Sequence, residues 1–519
     1  MKYSMGMARK LVSLLVVAAA GTAPSAVAAS SGKKTLGAEQ RPTATASKVQ
    51  SGSTGIQSTE PAGVWAAPID AGVVAIHMAL LRTGKVLIFG TPTYGQIGCC
   101  TIAKVIDPVA GTVKDVTLPY DVDIICAGQT VMPDGRVIVA GGEAVILGHG
   151  ITSTNIFDPI SETWSKTGDM TYARWYPTTM QLGDGTTLVV SGLDENHVSL
   201  QREMEVYSPT TGTWTTLPAS ANLPDTKPGY TYQHMILLPS GKIMEAGPWR
   251  TTNLYDPTTQ SWTQIGNMNF GDRYHGSAVL LPNSQKVFTA GGTPVNVEGS
   301  STATATTEVI DLAAASPKWQ YGIHSMNMAR YNESLVYLAD GTLLAVGGGQ
   351  GPSKYENPVY QAEIYDPVAQ SWTLMAAQQA NRTYHSVAAL LPDGRVISTG
   401  STSGTTNART FEIFSPPYLF KGPQPTYTGS PSLVHYGQSF TIQTTATNIT
   451  KVAFIKASAN THANDMDQRY VVLNFKKGTG SLTVTAPPKA NYAPPGYYML
   501  SIVDSNGVPS KMQFVQLAQ

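Results

Sequence analysis

The sequence predicts an all-β protein: a seven-bladed β-propeller followed by an immunoglobulin-like β-sandwich. Three observations carry that prediction. A unit made of an apolar run, a turn and a second apolar strand ending in Gly recurs seven times at a spacing of roughly 40 to 55 residues. The chain carries 49 Gly and 34 Pro, a composition that favours turns over helices. The segment after residue 419 loses the repeat but keeps the alternation of half-buried strands.

The repeat defines the propeller over residues 62–419. Its copies begin at Leu80, Val131, Gln181, Leu237, Leu280, Tyr337 and Leu390, as in VMPDGRVIVAGG and LLPDGRVISTG. An aromatic-Asp-Pro or aromatic-Ser-Pro then leads to a Trp, at Trp164, Trp214, Trp262 and Trp372. Units of this length, each with several short strands, are the mark of propeller blades, with kelch repeats the nearest spacing. The D-G turn predicts a hairpin joining the first two strands of each blade, and the Trp predicts packing between neighbouring blades. Residues 420–519 alternate as SFTIQTT, KVAFIKA, SLTVTAP and YYMLSIVD, which predicts a sandwich of immunoglobulin size.

The beginning of the chain reads as a targeting segment followed by a linker. Lys2, Arg9 and Lys10 precede the apolar run Leu11 to Ala20, and Ala26-Val27-Ala28 offers a cleavage site, so 1–28 is expected to be a secretory signal. Residues 29–61, rich in Ser, Thr, Gly and Ala, read as a flexible linker. Lys+Arg and Asp+Glu both number 34, and charged residues make up 13% of the chain, about half the globular norm. Neither nucleic acid nor an anionic lipid surface is expected as a partner. No apolar stretch is long enough to span a bilayer, and a secreted monomer is expected. Three cysteines occur, Cys99, Cys100 and Cys126; if the first two pair, or stay reduced, Cys126 is left over.

The repeat also works as a ruler. Stepping back eight residues from the turn of each blade gives Ala75, Cys126, Tyr176, Tyr232, His275, Asn332 and His385. These equivalent positions are expected to ring the central channel. Taken singly, each has an ordinary explanation. Cys126 can be a small buried hydrophobe, a channel Tyr can be core with its hydroxyl satisfied, and Tyr384-His385 can be a steadying hydrogen-bonded pair. His462, in Asn460-Thr461-His462, can be a surface loop residue. Five Cys, Tyr or His on one ring are not predicted by those explanations. Imidazole and phenolate together form an N/O ligand set that suits Cu(II), whereas zinc leaves the tyrosines and the spare cysteine unexplained.

Residues 62–519 resemble the copper-radical oxidases, the galactose oxidase and glyoxal oxidase family. The resemblance runs through GVWAAPID (from Gly63), RWYPT (from Arg174), RTYHSVAALLPDGRV (from Arg382), THANDMDQR (from Thr461) and PPGYYMLSIVDSNGVPS (from Pro494). It implies a Cys126–Tyr176 thioether serving as the radical cofactor. It also implies copper held by Tyr176, Tyr384, His385 and His462, the last reaching in from the C-terminal domain. Tyr384 is then the general base, Tyr176 the hydrogen-abstracting radical, and dioxygen the final acceptor, leaving as hydrogen peroxide. Trp175, Tyr232 and His275 are candidates to surround these groups.

The chain also departs from the pattern. Galactose oxidases carry a Trp over the cross-linked tyrosine from a position that falls near Leu193-Asp194, where this chain has none. Their N-terminal sugar-binding domain is replaced here by the linker. The RWYP run is nearer the glyoxal oxidases, so a small aldehyde (as its hydrate) or a simple primary alcohol is the expected substrate. The alternative is a non-catalytic extracellular propeller acting as an adhesion or carbohydrate-binding scaffold.

Overall fold

The computed structural model describes residues 62–92, 101–144, 148–224, 231–295, 297–403, 406–407 and 409–519. The expected signal segment, the linker 29–61, and Cys99 and Cys100 fall outside these residues. Within them the chain is built of strands, with two short 3-10 turns at Ala219–Ala221 and Pro417–Phe420 and no helix long and apolar enough to cross a membrane.

Seven antiparallel sheets follow one another along the chain, compatible with seven blades. Their first strands are Val74–Leu80, Gly128–Val131, Thr178–Gln181, Met235–Leu237, Ser277–Leu280, Tyr331–Tyr337 and Val387–Leu390. A hairpin joins each to its second strand, as expected. Six of these turns place a glycine at positive φ, from 81° at Gly84 to 94° at Gly341; in the fifth blade Asn283 takes that conformation at 49°. The tryptophans bridge blades: the Trp164 indole donates to the Val116 carbonyl at 2.7 Å, and Trp214 donates to Thr154 Oγ1 at 2.9 Å.

One closure was not legible in the repeat. Val64–Trp65, at the beginning of the described chain, pairs antiparallel with Thr410–Ser415 and supplies the outer strand of the seventh sheet. The two ends of the propeller are thereby held in a single sheet.

After the seventh blade, eight strands form a five-stranded and a three-stranded sheet around a separate apolar core that includes Phe440, Val452, Phe454, Val484 and Leu500. A hairpin, Ala459–Thr461 and Asn464–Asp465, leaves these sheets and joins the first blade by pairing with Val74–Leu80, His77 opposite Thr461. The segment expected as a loop is thus a strand and a tight turn. His462 and Ala463 form the turn with φ of 49° and 66°, the sign a two-residue type I′ turn requires.

That hairpin is fastened to five blades. Thr461 Oγ1 donates to the Ile76 carbonyl (2.8 Å), Gln129 to the Asn460 carbonyl (3.0 Å), Asn464 to the Gln233 carbonyl (3.3 Å), Ser277 to the Ala463 carbonyl (2.8 Å) and Asn460 to the Ala388 carbonyl (2.6 Å). Behind it, a buried Lys456 bridges Asp467 and Gln181, each at 2.6 Å.

Candidate functional site

The positions picked out by the ruler share one backbone conformation. Cys126, Tyr176, Tyr232, His275, Asn332 and His385 all have φ between 52° and 68°. Non-glycine residues are held there only when their surroundings enforce it, and such strain gathers at functional sites. Neighbouring members are linked: Tyr176 N–H donates to the Cys126 carbonyl (2.8 Å), Tyr232 to Tyr176 (3.0 Å) and Asn332 to His275 (2.7 Å). Ala75 is the exception. The first blade carries a register shift between Ala75 and His77, and His77 is the residue that reaches Cys126.

Four buried arginines brace these turns. Arg174, Arg273, Arg330 and Arg382 pair with Glu205, Glu308, Glu363 and Glu412 at 2.7 to 3.0 Å. Each also donates to a carbonyl of its own blade, those of Ser191, Gly291, Gly347 and Gly400. They stand two residues before Tyr176, His275 and Asn332, and three before His385.

The side chains converge on the His462 turn. Tyr176 Oη lies 2.5 Å from Tyr384 Oη and 3.0 Å from His462 Nε2. His385 stacks on Tyr384 (3.8 Å between ring centroids) and meets His462 edge-on at 4.5 Å. The sulfur of Cys126 and one nitrogen of each of these histidines lie within 4.8 Å of one another, and Cys126 packs with Tyr176 in one buried cluster. Tyr232 stacks on His462 at 4.7 Å, while its hydroxyl is tied to the Ala127 carbonyl at 2.9 Å. Tyr232 therefore packs the site. His275 stands edge-on to Tyr384 at 5.6 Å.

Two threonines set the histidine tautomers. Thr461 Oγ1 spends its proton on the Ile76 carbonyl, so at 2.6 Å it accepts from His462 Nδ1–H. Thr402 Oγ1 donates to the Tyr384 carbonyl and accepts from His385 Nδ1–H at 3.0 Å. Both Nε2 atoms are then unprotonated: that of His462 accepts from Tyr176 Oη at 3.0 Å, and that of His385 is buried without a partner among the described residues. Burial first, then neighbouring charge, moves every group toward its neutral form. The His385 and His462 imidazoles are held well below their usual range, and the Tyr176, Tyr384 and Cys126 groups well above theirs.

Trp175 covers the tyrosine ring. The indole stacks on Tyr176 with ring centroids 3.7 Å apart and planes at 12°. It comes from the position immediately before the tyrosine and bridges through its backbone to Leu193, beside which the family's Trp was expected. The absence of Trp at Leu193-Asp194 does not leave the tyrosine uncovered.

Sequence reasoning missed two further groups. His77 carries no ruler signal, because the first-blade bulge displaces it by two. Lys354 holds its ammonium 4.1 Å above the Tyr384 ring, and its charge bears on Cys126, His385 and His462.

With this geometry in place, comparison with known proteins is direct. The family description "Glyoxal oxidase N-terminus" matches residues 81–418, and "Galactose oxidase-like, Early set domain" matches 424–517. Galactose oxidase of Gibberella zeae is 30% identical over 490 residues, spanning 88% of this chain and 71% of that one. Aldehyde oxidase GLOX of Vitis pseudoreticulata is 26% identical over 522 residues, spanning 88% and 97%. A solved structure described as a novel fungal alcohol oxidase of the AA5 family, in complex with copper, superposes with a TM-score of 0.79 at 26% identity, covering 88% of this chain and 100% of that one. The two family descriptions cover propeller and sandwich in turn, and the chain belongs to the galactose oxidase and glyoxal oxidase family of copper-radical oxidases.

Proposed function

We propose that the chain oxidises a small aldehyde, as its hydrate, or a simple primary alcohol with dioxygen and releases hydrogen peroxide. Copper would be held by Tyr176, Tyr384, His385 and His462, with Cys126 joined to Tyr176 as a thioether. One observation carries this reading: two phenol oxygens 2.5 Å apart stand beside two imidazoles, the His385 Nε2 buried with no hydrogen-bond partner among the described residues and the His462 Nε2 3.0 Å from Tyr176 Oη. An unpartnered buried nitrogen costs stability unless something fills it, and an N/O donor set of this kind suits Cu(II). A scaffold has no use for such a cost.

Copper, when bound, supplies a one-electron acceptor beside a one-electron tyrosine, so a two-electron oxidation can proceed in single-electron steps. The residues do the rest. Tyr384 accepts the hydroxyl proton of the substrate. Tyr176, one electron oxidised and covered by the Trp175 indole, abstracts the hydrogen on the adjacent carbon. The αL turns and the Thr402 and Thr461 hydroxyls keep the donors oriented, and burial keeps water from the radical. Aldehyde oxidases stand among the relatives beside galactose oxidase, and they support the aldehyde part of this reading. A secreted monomer is the form in which the signal-like segment and soluble composition make sense.

The test is peroxide release from the copper-loaded protein, assayed with methylglyoxal, glycolaldehyde and short primary alcohols. Release from at least one of these, lost in Cys126→Ser, supports the reading. A fully copper-loaded protein that releases peroxide from none of them overturns it.

A further inference from the structure

We infer that His77 is a positioning residue for cofactor maturation: it holds the Cys126 backbone in the conformation that presents the sulfur to the Tyr176 ring. The inference rests on the thioether reading above.

His77 is fully buried, and its Nε2 accepts the backbone N–H of Cys126 at 2.9 Å. The accepting nitrogen must be unprotonated, so the ring proton is on Nδ1, which has no partner among the described residues. Burial agrees, holding the imidazole neutral. The ring cannot turn away: it stacks on Phe89 at 4.4 Å and 4°, and its edge faces His462 at 6.2 Å. Its strand position is opposite Thr461, the residue that orients His462.

Cys126 needs such a partner. It stands at φ 63°, a region a β-substituted residue leaves unless held. Cys126 lies in a buried apolar cluster with Ile76, Ile125 and Met466, where an unmatched N–H is costly. The His77 acceptor removes that cost in the backbone conformation observed, in which Cys126 packs with Tyr176 in one buried cluster. Maturation breaks the Cys126 S–H bond and one ring C–H bond of Tyr176 and forms one C–S bond. Two electrons and two protons pass to dioxygen, with copper present, giving hydrogen peroxide. His77 takes none of these protons, since its accepting nitrogen is already engaged. It fixes distance and direction.

The experiment compares the wild-type chain with His77→Phe, which keeps ring and bulk but loses the acceptor, and His77→Gln, which restores an acceptor near the position of Nε2. Each is loaded with copper in air, and the thioether is followed by peptide mass spectrometry. Copper stoichiometry and thermal unfolding are measured beside it. His77→Phe should bind copper yet form the cross-link at least about tenfold more slowly, and His77→Gln should recover most of the rate. Equal rates in wild type and His77→Phe overturn the inference and leave the oxidase reading standing. A wild-type chain that never cross-links overturns both. Should His77→Phe fail to fold, nitrogen-15 spectra of the native chain still decide: a proton on His77 Nε2 contradicts the inference, and one on Nδ1 supports it.

Discussion

Trp175 lies flat on Tyr176, 3.7 Å between ring centroids and 12° between planes, although it is the adjacent residue in the chain. Neighbours in an extended strand point to opposite faces. Here the tyrosine adopts φ 62°, and the backbone of Trp175 is pinned to Leu193, which brings both rings to one side. A stacked aromatic pair is worth about 0.5–1.5 kcal/mol, so Trp175→Ala should shorten the lifetime of the oxidised Tyr176 by up to about tenfold. The decay of the radical absorption after chemical oxidation reads this directly. An unchanged decay would mean that the indole only fills space.

Tyr384 shares a 2.5 Å contact with Tyr176 and stacks on His385. If it is the base, Tyr384→Phe should lower kcat by about 10² to 10⁴ while leaving the thioether intact. Steady-state peroxide assays together with peptide mapping separate the two effects. Loss of the thioether along with activity would assign Tyr384 a structural part instead.

Thr402 and Thr461 take the Nδ1 protons and so keep both Nε2 atoms unprotonated, as a metal would need. Replacing either by Val removes the acceptor for Nδ1–H without changing shape. Copper affinity should fall about 10- to 100-fold in each, as measured by competition with a chelator. Affinity equal to wild type in both would show that the rings are oriented by packing alone.

The arginine braces make a stability prediction. Arg174 and Glu205 are both fully buried, and removing one strands the other, so Arg174→Met should cost about 3–5 kcal/mol. Replacing both by apolar residues should recover much of it. Chemical denaturation of the single and double variants checks this, and a single variant as stable as wild type would contradict it.

Glu333 gives the pH dependence. It is buried, both carboxyl oxygens lack a hydrogen-bond partner among the described residues, and burial pushes its pKa from 4.5 up to about 8 against the pull of Arg330 and Arg273. The folded chain therefore holds this proton more tightly than the unfolded chain. The stability it contributes is complete below pH 4.5 and is lost as the pH rises to about 8, at no more than about 1.4 kcal/mol per unit. Glu333→Gln should flatten that part of the stability–pH curve. Parallel curves for the two proteins would place the carboxyl proton elsewhere.

Much of this was legible in the sequence because the blades repeat. A fixed step from each turn finds Cys126, Tyr176 and His385, since equivalent turns share one φ. Tyr384 and His462 came from motif resemblance, because Tyr384 is one residue off the ruler and His462 belongs to another domain. What escaped depended on long-range pairing. The closing strand Val64–Trp65 pairs with a partner about 350 residues away, and the Trp175 stack depends on a backbone angle rather than on spacing. His77 was hidden by a bulge that shifts the first blade out of step. The arginine braces could have been found, as Arg recurs two or three residues before four ring positions.

The measurement that tests the central claim most directly is peptide mass spectrometry of the chain before and after aerobic copper loading, with Cys126→Ser alongside. The account predicts a Cys126–Tyr176 cross-linked peptide, lighter by two hydrogen atoms than its separate parts, that appears only with copper and never in the variant. A protein that binds copper at this site and still yields both peptides uncrosslinked would contradict it.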